Sequence, residues 1–159
     1  MKKKLYLCRH AHAGESPRGD FFRELDREGV ATVEKMGRRL ATGNVHADLI
    51  ISSPALRALQ TAQGIAAALR YDTDKIITDP AIYHQDLREI LSVIRRDGGK
   101  AGHVWLFGHN PSLMELAAAL TGSREHKNPP GAVAAIEFEA ENWDEALAST
   151  GEILFRELP

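Results

Sequence analysis

The segment Asp48-Leu49-Ile50-Ile51-Ser52-Ser53-Pro54-Ala55-Leu56-Arg57-Ala58-Leu59-Gln60-Thr61 holds a strand, a turn and the start of a helix. Asp48 to Ser52 is apolar through its centre, as a strand buried on both faces of a sheet must be. Beyond the serines, Leu56, Leu59, Ala62, Ala66 and Leu69 recur at the spacing of a helix that buries one stripe. Ser53 is placed to cap that helix and Pro54 to occupy its first position, where a missing N–H costs nothing. A buried strand running straight into an amphipathic helix is half of a βαβ unit, and it predicts a parallel sheet with helices packed against it.

The same alternation extends outward on both sides. Upstream, Leu5-Tyr6-Leu7-Cys8 reads as the first strand, followed by a loop from Ala13 to Asp20. Val30, Val33, Gly37 and Leu40 then recur at helical spacing behind Asp26 as N-cap, with Gly29 in the first turn. Downstream, Ile76-Ile77-Thr78 is a short third strand, and Leu87, Ile90, Leu91 and Ile94 mark a helix that stops at Asp97-Gly98-Gly99. His103 to Phe107 is nearly all apolar and predicts a central fourth strand. Asn110-Pro111 repeats the cap-plus-proline start ahead of Leu113, Leu116, Ala117 and Leu120. After a Gly/Pro-rich loop from Thr121 to Gly131, Val133 to Glu139 and Glu152 to Glu157 read as late strands, the second at an edge. No internal repeat, low-complexity tract or linker interrupts the pattern. The fold class is α/β: a three-layer α/β/α sandwich with a mostly parallel central sheet, one domain over residues 1–159.

Composition agrees with that reading. The 159 residues are 43% hydrophobic, enough for one core burying roughly 70% of the surface of the unfolded chain. Twenty Lys+Arg against 22 Asp+Glu leave a net charge of −2 with the signs interspersed, which argues against a nucleic acid or an acidic membrane as partner. Met1-Lys2-Lys3-Lys4 is charged like the start of a signal peptide, but the apolar run behind it ends at Arg9. No stretch approaches the ~20 apolar residues of a membrane span. The single cysteine, Cys8, has no partner for an internal disulfide. A cytoplasmic monomer is expected.

In a parallel sheet, ligands collect beyond the carboxyl ends of the strands, where helix N-termini and loops converge. Strand one ends in Arg9-His10, strand two in Ser52-Ser53-Pro54 with Arg57 in the next helical turn, and strand four in Gly108-His109-Asn110. Two imidazoles and two guanidiniums are therefore predicted to meet beside two positive helix ends. Such a pocket suits a tetrahedral dianion: arginines fork onto phosphate oxygens, and a neutral imidazole in line with phosphorus can attack it.

These motifs resemble a known family. Leu7-Cys8-Arg9-His10-Ala11, the run from Ser52 to Thr61, and Gly108-His109-Asn110-Pro111 are similar to the three motifs of the histidine phosphatase superfamily, which includes the phosphoglycerate mutases. Arg23 to Gly29 and Tyr83 to Ile94 are most similar to its SixA-type branch, the phosphohistidine phosphatases. The resemblance spans roughly Leu5 to Leu120. It implies a phosphoglycerate mutase-like fold and phosphoryl transfer through a phosphohistidine, with no metal and no cofactor. By position it implies His10 as nucleophile, Arg9 and Arg57 as phosphate clamps, and His109 as the imidazole that stabilises the transition state. Arg23 is implied as support for the phosphate site.

Two departures bear on the substrate. Ala11 stands where the family usually has glycine, which would disturb the loop if a positive φ were required there. His84 stands where many relatives have a glutamate, so the general acid is open between His84 and Asp86. An alkoxide leaving group needs a proton donor, commonly worth ~10²–10⁴-fold, whereas an imidazole leaves more easily. The expected substrate is therefore a phosphorylated protein bearing phosphohistidine, such as a histidine phosphotransfer domain. The alternatives are a small-molecule phosphomonoesterase and a non-catalytic phosphoprotein-binding module.

Other residues have plainer readings. Arg23 could equally pair at the surface with Asp20 or Glu24. His12, with His84 and His109, has the residue types of a zinc site, but Arg9 and Arg57 would set cations beside the ion. His46, His103 and His126 read as solvated, Cys8 as a small buried hydrophobe, Trp105 as core and Trp143 as half exposed.

Overall fold

The computed structural model describes residues 1–124 and 127–159; His126 lies outside the described residues. Six strands form one sheet among them: β1 (Lys2–Arg9), β2 (Leu49–Ser52), β3 (Ile77–Thr78), β4 (His103–Gly108), β5 (Val133–Glu139) and β6 (Glu152–Glu157), in the order β3-β2-β4-β1-β5-β6. The pairs β2–β3, β2–β4 and β1–β4 are parallel, while β5 runs antiparallel to both β1 and β6. The expected strand pattern is present, with β1 extended back to Lys2.

The strands alternate between two cores because successive side chains point to opposite faces. Leu5, Leu7, Ile51, Leu106 and Phe138 face α3 (Pro80–His84), α4 (Leu87–Gly98), α5 (Ser112–Thr121) and α6 (Trp143–Ala148). Tyr6, Cys8, Ile50, Trp105 and Phe107 face α1 (Arg27–Thr42) and α2 (Leu56–Ala68). Helices thus cover both faces, giving the three layers. None of the described helices is long and apolar enough to cross a membrane.

Helix starts differ from the sequence reading. Ser53 N–H is still held by the sheet, donating to Phe107 O at 2.9 Å, so the chain needs two more residues to turn and α2 begins at Leu56 behind Ala55. The Ser53 hydroxyl accepts from Ala55 N–H instead of capping the helix. Asn110 does not cap α5 either. Its side chain pairs in both directions with Asn128, at 2.9 and 2.8 Å, and Pro111 takes the N-cap place. Trp143 is buried rather than half exposed, with its indole N–H on Ala101 O at 2.8 Å. It opens α6, which is too short to show a period amid acidic neighbours. His103 is also not a free surface group: it is half-buried, its Nδ1 3.0 Å from Tyr6 Oη. His46 is exposed, as expected.

The loop leaving β1 is pinned to the start of α1. Asp26 N–H donates to His12 O at 3.2 Å, and the Asp26 side chain accepts from Gly29 N–H at 2.9 Å. A Cβ at Gly29 would lie 2.0 Å from His12 O. That oxygen is backbone and cannot turn aside. Gly29→Ala is therefore expected to cost at least the ~1–3 kcal/mol typical of overpacking and to lower activity as well, since the displaced loop follows directly on His10. Urea midpoints would check it, and a variant as stable as the parent would show that the contact yields freely.

Candidate active site

The register of β1 on β4 pairs Arg9 with Gly108, so His10 and His109 are each the next residue beyond the sheet. His10 N–H extends the ladder by one bond to Gly108 O, 3.0 Å. The two rings sit with centroids 5.3 Å apart. Arg57, in the first turn of α2, turns inward and is 6% exposed. All four residues line one cleft of about 390 Å³, together with Asp20, Tyr83, His84, Gln85 and Asn110. A groove of similar size between α1 and α2 is mainly apolar and lacks such a set.

His10 Nδ1 is 2.8 Å from Ala11 O. A carbonyl only accepts, so Nδ1 carries the proton and Nε2 keeps its lone pair. Arg57 Nε donates toward that Nε2 at 3.4 Å. Burial pushes the imidazole down to about 4 against the pull of the Ala11 bond, and the Arg57 and Arg9 charges add to the push. At neutral pH this is an uncharged ring with an available lone pair. His109 Nε2 lies 2.8 Å from Ser53 Oγ, while its Nδ1 is buried without a hydrogen-bond partner among the described residues. Burial, then Arg57 and His10, take His109 down to about 3.

The guanidiniums are held from behind. Arg9 donates to Asn128 O at 3.0 Å, and its buried Nε has no partner among the described residues. Burial, then Arg57, lowers its pKa from the ordinary arginine value, yet an arginine stays protonated. Arg57 donates to Asp20 O at 2.8 Å and to Asp20 Oδ2 at 3.1 Å, and Tyr83 Oη donates to the same carboxylate at 2.9 Å. Burial pushes Asp20 up, but Tyr83 and Arg57 outweigh it and hold the carboxyl below the usual range.

The remaining sequence candidates separate. His84 lines the cleft. Asp86 is engaged as the N-cap of α4, accepting from Glu89 N–H. Arg23 does not line the cleft: it braces the loop through Gly14 O and Ala13 O and reaches Asp20 Oδ1 at 3.3 Å. Ala11 has no positive φ, so alanine there strains nothing. Its N–H is held by Thr61 Oγ1 at 3.0 Å. His12 is not beside His84 or His109. It bonds Asp26, and with Glu28 these form an exposed group of ligand atoms within 4.8 Å of one another at the start of α1. Cys8 is in the core, and burial raises its thiol pKa strongly.

The sequence reading offers none of Asp20, Tyr83, Gln85 and Asn128 as a site residue, and names Asp20 only as a surface partner of Arg23, a pair the structure contains at 3.3 Å. They sit in loops and short turns, where no periodicity marks an inward residue. Only the nearness of Asp20 to Arg23 and of Tyr83 to His84 hinted at them.

Residues 5–92, more than half of the chain, match the model of the histidine phosphatase superfamily (branch 1). No curated protein matches by sequence. Among solved structures, the protein histidine phosphatase SixA complexed with tungstate is similar at TM-score 0.83 and 19% identity, covering 96% of this chain and 95% of that one. A SixA protein from Agrobacterium tumefaciens gives 0.79 at 26% identity, over 99% and 98%. A mycobacterial glucosyl-3-phosphoglycerate phosphatase gives 0.68 at 13% identity, over 97% and 98%. These likenesses agree with the mixed sheet flanked by helices.

The two depressed histidines make a pH prediction. Below pH 6.5 the unfolded chain takes up protons that the folded rings refuse until about 4 and about 3. Stability is thus complete near neutrality and is expected to fall by ~3 kcal/mol or more as pH drops from 6.5 toward 4. His10→Asn should flatten part of that slope. NMR titration of the rings with urea unfolding at each pH would test this, and an unchanged stability down to pH 4.5 would mean the rings are solvated.

Proposed function

The chain belongs to the histidine phosphatase superfamily, and from that premise we propose that it hydrolyses phosphohistidine on proteins through a phosphoryl group carried on His10. The state of His10 carries this reading: a neutral ring, its Nδ1–H committed to Ala11 O and its Nε2 lone pair facing Arg57 inside a cleft. Nε2 attacks phosphorus, a new N–P bond forms, and the bond to the substrate imidazole breaks as that ring takes a proton from water. A second water then attacks phosphorus, the His10 N–P bond breaks, and inorganic phosphate leaves with the ring restored. Arg9 and Arg57 hold the equatorial oxygens and His109 donates to one of them, supplying charge where it develops. The reading needs no metal and no cofactor. Arg23 supports the site through Asp20.

The leaving group supports the substrate. Asp20 is held ionised by Arg57 and Tyr83, so it is no ready acid, and Asp86 is engaged at a helix cap and does not line the cleft. An imidazole tolerates that lack better than an alkoxide does. The cleft is also open, with Asp20 52% exposed, which suits a phosphate borne by a protein such as a histidine phosphotransfer domain. SixA is named a protein histidine phosphatase. A small-molecule phosphomonoesterase is the second reading, favoured by the near full-length likeness to the glucosyl-3-phosphoglycerate phosphatase.

His10→Ala should abolish turnover while leaving the fold intact, and brief exposure of the parent to a phosphate donor should leave an acid-labile, alkali-stable label on His10. Turnover near the parent level in His10→Ala would exclude the covalent route.

The substrate class is tested by leaving group. His84→Ala is expected to change turnover of a phosphohistidine protein less than 3-fold or so, against the ~10²-fold loss on alkyl phosphates expected if it acts there as general acid. Aryl phosphates should be little affected. Higher kcat/KM for an alkyl phosphate than for the phosphohistidine protein would favour the phosphomonoesterase reading.

A further inference from the structure

We propose that the Ser53 hydroxyl sets the tautomer of His109, holding its proton on Nδ1 so that the ring offers an N–H donor to a phosphoryl oxygen in the cleft. The inference rests on the reading of the cleft as a phosphoryl-transfer site. Ser53 does not line the cleft; it acts through His109 and is a positioning residue.

The argument is a count of protons and lone pairs. Ser53 is completely buried, and its Oγ has two partners: Ala55 N–H at 3.2 Å and His109 Nε2 at 2.8 Å. A hydroxyl brings one proton and two lone pairs. The Ala55 amide can only donate, so it takes one lone pair. Were the imidazole proton on Nε2, it would take the second, and the hydroxyl proton would have no acceptor among the described residues. Nδ1 would then be a buried acceptor without a donor, so two groups would be left unpaired, a costly arrangement. With the proton on Nδ1, the hydroxyl donates to Nε2 and a single group is left over. That group is Nδ1–H, buried and without a partner among the described residues, on a ring that lines the cleft with its centroid 5.3 Å from that of His10.

The backbone keeps the hydroxyl in place. Ser53 N–H is bonded to Phe107 O at 2.9 Å, and Ser53 O accepts from Ser52 Oγ at 2.9 Å. Phe107 is two residues before His109 on the strand whose end delivers the ring. The pairing of β2 with β4 that builds the sheet therefore also aligns Ser53 with His109.

The test combines a spectrum with a mutant cycle. In ¹⁵N-labelled parent protein at pH 7, two-bond ¹H–¹⁵N correlations should show His109 with Nδ1 protonated and Nε2 bare. Ser53→Ala should shift the ring to a mixture or to the opposite tautomer. A parent ring protonated on Nε2 overturns the proposal, and this reading stands even if Ser53→Ala fails to fold. So does a Ser53→Ala ring that stays wholly in the Nδ1–H form.

In kinetics, Ser53→Ala is expected to lower kcat roughly 10-fold or more, toward the ~10²–10³-fold lost when a transition-state donor is removed outright, with KM little changed. The double variant with His109→Ala should be no slower than His109→Ala alone, because the two substitutions remove one function. Multiplying losses would place Ser53 in the fold rather than behind His109 and would overturn the proposal. If neither phosphohistidine nor phosphate esters are turned over while the Nδ1–H tautomer is observed and depends on Ser53, the proposed function fails and the tautomer assignment holds.

Discussion

The parallel pairing of β1 with β4 places Arg9 opposite Gly108, and the juxtaposition of the His10 and His109 rings follows from that register. A slip by one residue would reverse the faces of β1. Tyr6 and Cys8 would then enter the core built by Leu5 and Leu7, and the opposite substitution would occur on the other side. Burial on both faces thus holds the register far more firmly than the site itself could. His10 and His109 are brought together by the energetics of the core, and β2 brings Arg57 through its pairing with β4.

That placement concentrates positive charge where water is scarce. Arg57 is 6% exposed, and the Nε of Arg9 is buried. Burial first, and the neighbouring guanidinium charge after it, lower the proton affinity of Arg9, His10 and His109. The consequence is useful chemistry. Rings that would be partly charged near neutrality in water are kept neutral, so His10 retains its lone pair beside two guanidiniums.

The fold was legible because buried strands and amphipathic helices leave periods in the sequence, and the strand ends could be read directly at Arg9-His10, Ser52-Ser53 and Gly108-His109. What escaped has no period. Asp20 is in a three-residue turn, α3 has five residues and α6 has six. Ser53 shows why a local reading falls short. A serine ahead of a proline and a helix reads as a cap, since local sequence shows only the amide it might accept from. Its second partner, His109, comes from a strand 56 residues away, and only the sheet order joins them.

Asp20 also bears on which anion the cleft favours under the proposed function. Asp20 occupies both terminal nitrogens of Arg57, one through its carboxylate Oδ2 and the other through its main-chain oxygen. A singly charged anion entering the cleft would trade one carboxylate-like contact for another and gain little. A phosphoryl group brings two charges and three oxygens, enough to engage Arg9 and Arg57 together in forked bonds. Asp20, half exposed, can turn to water at small cost, whereas Arg57 cannot. The exchange therefore favours a dianion over a monoanion through the difference in burial between the two partners of one ion pair.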